Sequence, residues 1–158
     1  MKKKLIILIS ILTALLISSC SSAGVREDVS VSDAGQYKGS LEKFFRRYEN
    51  APHKMGATGP KAFDCSGFVG RAYRDVYGVE LPRTSQAMYN IGSPVEKSDL
   101  EYGDLVFFNI YGKGISHVGI FTGKNSFIHA STKLGVTKSD LNLEYYRTRY
   151  VGARRILK

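Results

Sequence analysis

The chain has 158 residues, a formal net charge of +9 and a hydrophobic fraction of 43 %, with 10 Tyr and 8 Phe. That length and apolar content suit one compact domain with a real core. The basic balance suits a polyanionic envelope, but no stripe of Lys and Arg interleaved with aromatics runs along the chain, which argues against nucleic acid as a partner.

The N-terminus comes first and stands apart from the core. Met1-Lys2-Lys3-Lys4 is a positive segment, and an almost unbroken apolar run follows from Leu5 to Ile17. The run is shorter than the roughly 20 apolar residues a membrane-spanning helix needs, and it reads as a secretory signal. It ends in Leu16-Ile17-Ser18-Ser19-Cys20, which resembles the lipobox of bacterial lipoproteins. The resemblance implies cleavage before Cys20 and acylation of its sulfur and new amino group, and several acyl chains on one residue anchor stably. The alternative is an ordinary signal peptide that ends near a cysteine. Ser21, rather than an aspartate, follows the cysteine; by analogy with lipoprotein sorting this implies, in a host with two membranes, the periplasmic face of the outer one. The segments expected are therefore a signal peptide over 1–19, a lipidated tether over 20–39, rich in Ser, Gly, Asp and Val, and one folded domain over 40–158.

Within that domain, Leu41, Phe44, Phe45 and Tyr48 recur at helical spacing and predict a helix over 40–49 with Ser40 as its cap. Pro52, Gly56, Gly59 and Pro60 mark 51–61 as a loop. Asp64 stands before a one-sided apolar run of Phe68, Val69, Ala72, Tyr73 and Val76, so a helix is expected over 65–77, capped by Asp64 and stopped by Gly78. A shorter helix follows Pro82, over Arg83 to Tyr89. From residue 104 the pattern changes to short strands: Leu105–Asn109, Val118–Thr122, Ser126–Ala130, Val136–Lys138 and Tyr150–Ile156, with Gly-rich turns between them and a helical turn over Leu141–Tyr146. Helices first and an antiparallel sheet of about five strands afterwards make an α+β fold.

The chemistry gathers on few residues. If Cys20 carries lipid, Cys65 is the remaining thiol of an exported chain, either a small core residue or a group kept for its reactivity. Its place at the first helical position exposes it to partial positive charge and free N–H groups, which lower a thiol pKa and suit an oxyanion. The adjacent Asp64 acts the other way unless it caps the helix or faces substrate. The helix alone leaves both readings of Cys65 open. The three histidines are His53, His117 and His129. His117 opens an apolar strand and His129 closes the next, across the Gly123-Lys124-Asn125 turn. Pairing about that turn brings them near each other, on one face if the register permits, so that one accepts the thiol proton and the other orients it. A zinc site is the rival constellation, but no closely spaced pair of ligands occurs.

Phe63-Asp64-Cys65-Ser66-Gly67-Phe68-Val69, Leu81-Pro82-Arg83-Thr84, Gly103-Asp104-Leu105-Val106-Phe107-Phe108, His117-Val118-Gly119-Ile120 and Phe127-Ile128-His129-Ala130-Ser131 resemble, in order and spacing, the motifs of the NlpC-type cell-wall cysteine peptidases. Among these the chain looks most like the small lipoprotein endopeptidases. The resemblance implies a compact papain-like fold with the catalytic helix packed on the sheet, and no cofactor. It implies Cys65 as nucleophile, His117 as general base and His129 as its orienter, acting on peptide bonds of peptidoglycan stems or cross-links. Two positions depart from the family. His53 stands where the family usually has a tyrosine lining the oxyanion position, and Ala57 stands where a second glycine is usual. Asp64, Ser66 and Arg83 are read either as substrate contacts or as a cap, a helix-start hydroxyl and a surface charge. A non-hydrolytic wall-binding lipoprotein, and an acyltransferase or amidase on the same scaffold, are the alternative functions. The sequence carries no mark of a regulatory adaptor or inhibitor.

Overall fold

A computed structural model describes residues 34–157. The signal segment, Cys20 and most of the expected tether lie outside the described residues. The first helix, α1, runs from Ala34 to Tyr48 and so begins ahead of the expected residue 40. Ser40 is one of its interior residues and not its cap. The reason is Tyr37, one turn before Leu41, which extends the same apolar stripe. Its ring lies 5.1 Å from that of Tyr77, so burial draws the helix back into what the sequence reads as tether.

The second helix, α2 (Cys65–Ala72), starts where expected. Asp64 takes an extended conformation and its side chain accepts from the Gly67 N–H, as an N-cap does. The helix continues through a π-helical turn, Tyr73–Tyr77, and Gly78 ends it with φ +69°. The buried Tyr73 hydroxyl donates to the Gly103 carbonyl at 2.5 Å, tying this turn to the sheet. Thr84 caps the short α3 (Ser85–Tyr89), and α4 is a single turn, Glu144–Arg147.

Among the described residues the antiparallel sheet has six strands, one more than the five read from the sequence. They are β1 (Ser93–Val95), β2 (Leu105–Phe108), β3 (His117–Gly123), β4 (Ser126–Ser131), β5 (Gly135–Asp140) and β6 (Tyr150–Arg155), in the spatial order β1-β6-β2-β3-β4-β5. Each described pairing is antiparallel. The unforeseen strand, β1, is three residues long, contains Pro94 and sits at the sheet edge against β6. It is too short for alternation to register, and an edge tolerates a residue with no N–H to donate. β5 also runs past the expected end at Lys138, through Ser139 to Asp140.

Alternate residues divide the sheet between two apolar clusters. Leu105, Phe107, Val118, Ile120, Ile128 and Ala130 pack with α1 and α2. Val106, Phe108, Phe121, Phe127 and Ala153 pack with Leu141, Tyr146 and Tyr150 on the opposite face. Because both faces are covered, β2 is buried at all four positions and reads as a continuous apolar run.

Candidate active site

The loop before α2 delivers Cys65. The Phe63 N–H bonds to the Pro52 carbonyl and the Asp64 N–H to the Ala57 carbonyl, which fixes the chain as it enters the helix. Ala57 does this without the positive φ that its glycine-like position suggested, since Gly56 supplies that geometry at φ +80°. The half-buried thiol then lies over the start of β3. Its sulfur is 3.9 Å from the Ser116 carbonyl, and the Val118 backbone is close enough to draw its pKa down. These two residues bracket His117.

The imidazoles of His117 and His129 meet directly, Nε2 to Nδ1 at 2.8 Å, and are buried at 8 % and 1 % exposure. A two-residue turn, Lys124-Asn125, with φ of 48° and 60°, joins β3 to β4, and a bulge between Phe121 and Gly123 resets the register to Phe121↔Phe127 and Ile120↔Ile128. Gly119 thereby falls beside His129, and a Cβ there would lie 2.5 Å from the Phe127 ring and 3.2 Å from the His129 Cβ. The missing side chain leaves the diagonal open for His117 to reach His129. Phe127 stacks on His129 at 4.7 Å. On its far side, His129 Nε2 meets the Ser139 hydroxyl at 2.9 Å and the Tyr146 hydroxyl at 3.3 Å.

Electrostatics here depart from one expectation. Burial pushes the Cys65 thiol up, and the charge of Asp64 adds to this. The backbone hydrogen bonds of Val118, Ser66 and Cys65 itself act downward without reversing it. The helix N-terminus is therefore outweighed by the apolar surroundings of the sulfur. Burial, and then the proximity of His53, lowers the His117 pKa to about 4. Burial and His117 likewise hold His129 well below the ordinary histidine range. These shifts favour a neutral thiol and neutral imidazoles at neutral pH.

Asp64, Ser66 and Arg83 form one cluster. Arg83 donates Nη1 to Asp64 Oδ1 at 3.1 Å, Nη2 to Oδ2 at 2.6 Å, and Nη1 to the Ser66 hydroxyl at 2.9 Å. Asp64 also accepts from the Gly67 N–H at 2.6 Å and the Gly56 N–H at 2.8 Å. Burial alone would raise its carboxyl; the hydrogen bonds and charge of Arg83, with those amides, hold it below the ordinary carboxylate range. The cap reading of Asp64 thus matches the geometry, and Arg83 is its partner rather than a free surface charge. His53, half-buried, bridges to Phe63 on the loop that feeds Cys65.

Two depressions are lined by the histidine pair and by the Asp64 cluster's neighbours, one each. A cleft of about 390 Å³ is lined by His117, His129, Ser139, Tyr111, Tyr145 and Tyr146, among others. A smaller one, about 130 Å³, is lined by Ser66, Gly67, Arg71 and Arg83 with Leu81 and Pro82. Sequence reasoning missed Ser139 and Tyr146. The reading of β5 stopped one residue short of Ser139, and Tyr146 comes from a helical turn far along the chain. The alternation of Thr137 and Ser139 is the one local signal that points to a polar face at this position.

A thiol at a helix start, set against paired histidines on an antiparallel sheet, defines the papain-like class of cysteine-peptidase folds. The chain belongs to the NlpC/P60 family, whose model matches residues 50–155. It is 43 % identical over 110 residues to the murein DD-endopeptidase MepS/murein LD-carboxypeptidase of Escherichia coli, covering 70 % of this chain and 58 % of that relative. It is 36 % identical over 148 residues to the "Probable endopeptidase NlpC" of Escherichia coli, covering 92 % of this chain and 96 % of the relative. Among solved structures, an NlpC/P60 family protein from Bacillus cereus superposes with a TM-score of 0.71 at 33 % identity, covering 77 % of this chain and 40 % of that one.

Proposed function

We propose that this protein is a lipid-anchored cysteine endopeptidase that hydrolyses peptide bonds in the stems or cross-links of peptidoglycan. The observation that carries the proposal is the 2.8 Å contact between His117 Nε2 and His129 Nδ1, with the Cys65 thiol held against the residues on either side of His117. The murein endopeptidase named among its relatives supplies the substrate class. Cys20 is the proposed site of acylation and the periplasmic face of the outer membrane the proposed location, both resting on the lipobox-like sequence.

The 2.8 Å contact supports one proton path. His117 Nε2 faces His129, so Nδ1 is the ring nitrogen left to accept the thiol proton. His117 then carries its own hydrogen on Nε2 and donates it to His129 Nδ1. Because the thiol rests neutral, His117 takes the proton as sulfur attacks the scissile carbonyl. Of the first amides of α2, Gly67 is engaged by the Asp64 side chain and Phe68 by the Asp64 carbonyl, whereas those of Cys65 and Ser66 lie toward the sulfur. These two, with the His53 ring, hold the developing oxyanion. His117 returns the proton to the leaving amine, and water clears the acyl-enzyme.

The test is release of soluble muropeptides from purified sacculi, read by mass spectrometry. Wild-type protein releases peptide-cleaved products and the Cys65→Ala variant none; equal digestion by both would refute the mechanism. Sacculus binding without turnover by the reduced wild type would favour a wall-binding role. Acyl labelling and membrane partition that disappear in a Cys20→Ala variant test the anchor.

A further inference from the structure

We infer that Ser139 is a positioning residue for hydrolysis: its hydroxyl fixes the tautomer of His129 and, through it, the base nitrogen of His117. The inference rests on the proposed catalytic pair and extends it by one strand. β4 and β5 pair with Phe127 opposite Ser139 and His129 opposite Thr137, so His129 and Ser139 are diagonal neighbours on one face. His117 and His129 stand in the same diagonal relation across β3 and β4. Three adjacent strands therefore carry one polar line, His117–His129–Ser139, with steps of 2.8 Å and 2.9 Å, on the face that also carries Phe121 and Phe127.

At 1 % exposure the His129 imidazole takes its tautomer chiefly from its hydrogen-bond partners. For His117 Nδ1 to act as base, His129 Nδ1 must accept, which places the His129 hydrogen on Nε2. That N–H needs an acceptor, and the Ser139 Oγ is the nearer of two. Tyr146, at 3.3 Å, is the other, and the Ser139 hydroxyl stands close enough to the Tyr146 hydroxyl to act on its pKa as a donor does. The serine can thus accept from His129 while giving its own proton to the tyrosine. Without an acceptor on Nε2, the opposite tautomer of His129 becomes accessible. In that tautomer Nδ1–H points at His117 Nε2, forcing the His117 hydrogen onto Nδ1, where it blocks the thiol.

The experiment uses the full chain with a defined cross-linked muropeptide and five variants: Ser139→Ala, Ser139→Thr, Tyr146→Phe, the Ser139→Ala/Tyr146→Phe double and His117→Ala. Ser139→Ala is expected to lower kcat about 10-fold with KM unchanged, comparable to the lower end of the effect that outer partners of metal-ligating histidines have. Ser139→Thr, which keeps the hydroxyl, restores kcat to within about 2-fold. Ser139→Ala combined with Tyr146→Phe removes both acceptors and lowers kcat by more than the two single losses multiplied. Nitrogen-15 spectra of the imidazoles should show His129 protonated on Nε2 in the wild type and mixed in the double variant. This readout requires folded protein and not turnover. Wild-type kcat in the double variant, or no rescue by threonine, overturns the inference while leaving the proposed function intact if His117→Ala is inactive. Hydrolysis by His117→Ala would remove both.

Discussion

Arg83 grips Asp64 with both terminal nitrogens, at 3.1 Å and 2.6 Å, while the same carboxylate caps the helix that carries Cys65. The carboxylate is 7 % exposed and the guanidinium 45 %. Arg83→Ala should cost about 1–2 kcal/mol, discounted from the buried-pair range because half of the pair is solvated. Arg83→Lys should recover only part, since an ammonium cannot match both oxygens. Urea unfolding at neutral pH measures this. The folded Asp64 carboxyl sits below its unfolded value, so its contribution is present above about pH 4 and is lost as pH falls through the folded value. The gap between wild type and Arg83→Ala should close there, and a gap that persists at low pH would mean the pair is not its source.

The buried histidines make the fold acid-sensitive well above the carboxylate range. His117 is lowered from 6.5 to about 4 by burial and then by His53. As pH falls from 6.5 the unfolded chain takes up a proton that the folded one refuses, so stability is full above 6.5 and drains away toward pH 4. The loss is on the order of 3 kcal/mol from His117, and His129 acts in the same direction. Urea midpoints at pH 7.5 and 4.5 should differ accordingly, and less in a His117→Asn variant. Equal midpoints in the wild type would show that the imidazole is charged when folded.

Cys65 should react slowly with iodoacetamide at neutral pH. Its thiol is pushed up by burial and Asp64, so alkylation should climb through pH 9 without a plateau near 7. A plateau in weak acid would reveal a preformed thiolate–imidazolium pair and contradict the neutral resting state.

Gly119→Ala should damage the imidazole pair from a position with no chemistry of its own. The added Cβ would stand 2.9 Å from the Ile128 carbonyl and 2.5 Å from the Phe127 ring. A loss of about 1–3 kcal/mol is expected from overpacking, with hydrolysis falling at temperatures where the variant remains folded by circular dichroism. Unchanged turnover would mean that the diagonal tolerates displacement.

Much of this molecule is local and was legible in one dimension. The cap at Asp64, the stripe of α2, the stop at Gly78 and the apolar strands follow from spacing, because each depends on neighbours within a turn or two. The start of α1 is not legible locally because Tyr37 has its partner, Tyr77, forty residues away. The three-residue β1 has no alternation of its own and exists because β6 offers an edge.

The sequence by itself determined which residue types are available: a thiol at a helix start, two histidines on successive strands, and a turn between them. Tertiary structure decided whether the histidines share a face. The turn pairs Gly123 with Ser126, and that register, continued unbroken, would send His117 and His129 to opposite sides of the sheet. The bulge between Phe121 and Gly123 shifts the pairing by one residue and brings both to one side, since a single-residue slip reverses every side chain of a strand. Tertiary structure likewise placed Ser139 on the far end of that line and set the thiol's charge state, because burial depends on everything packed around the sulfur and not on the helix that bears it.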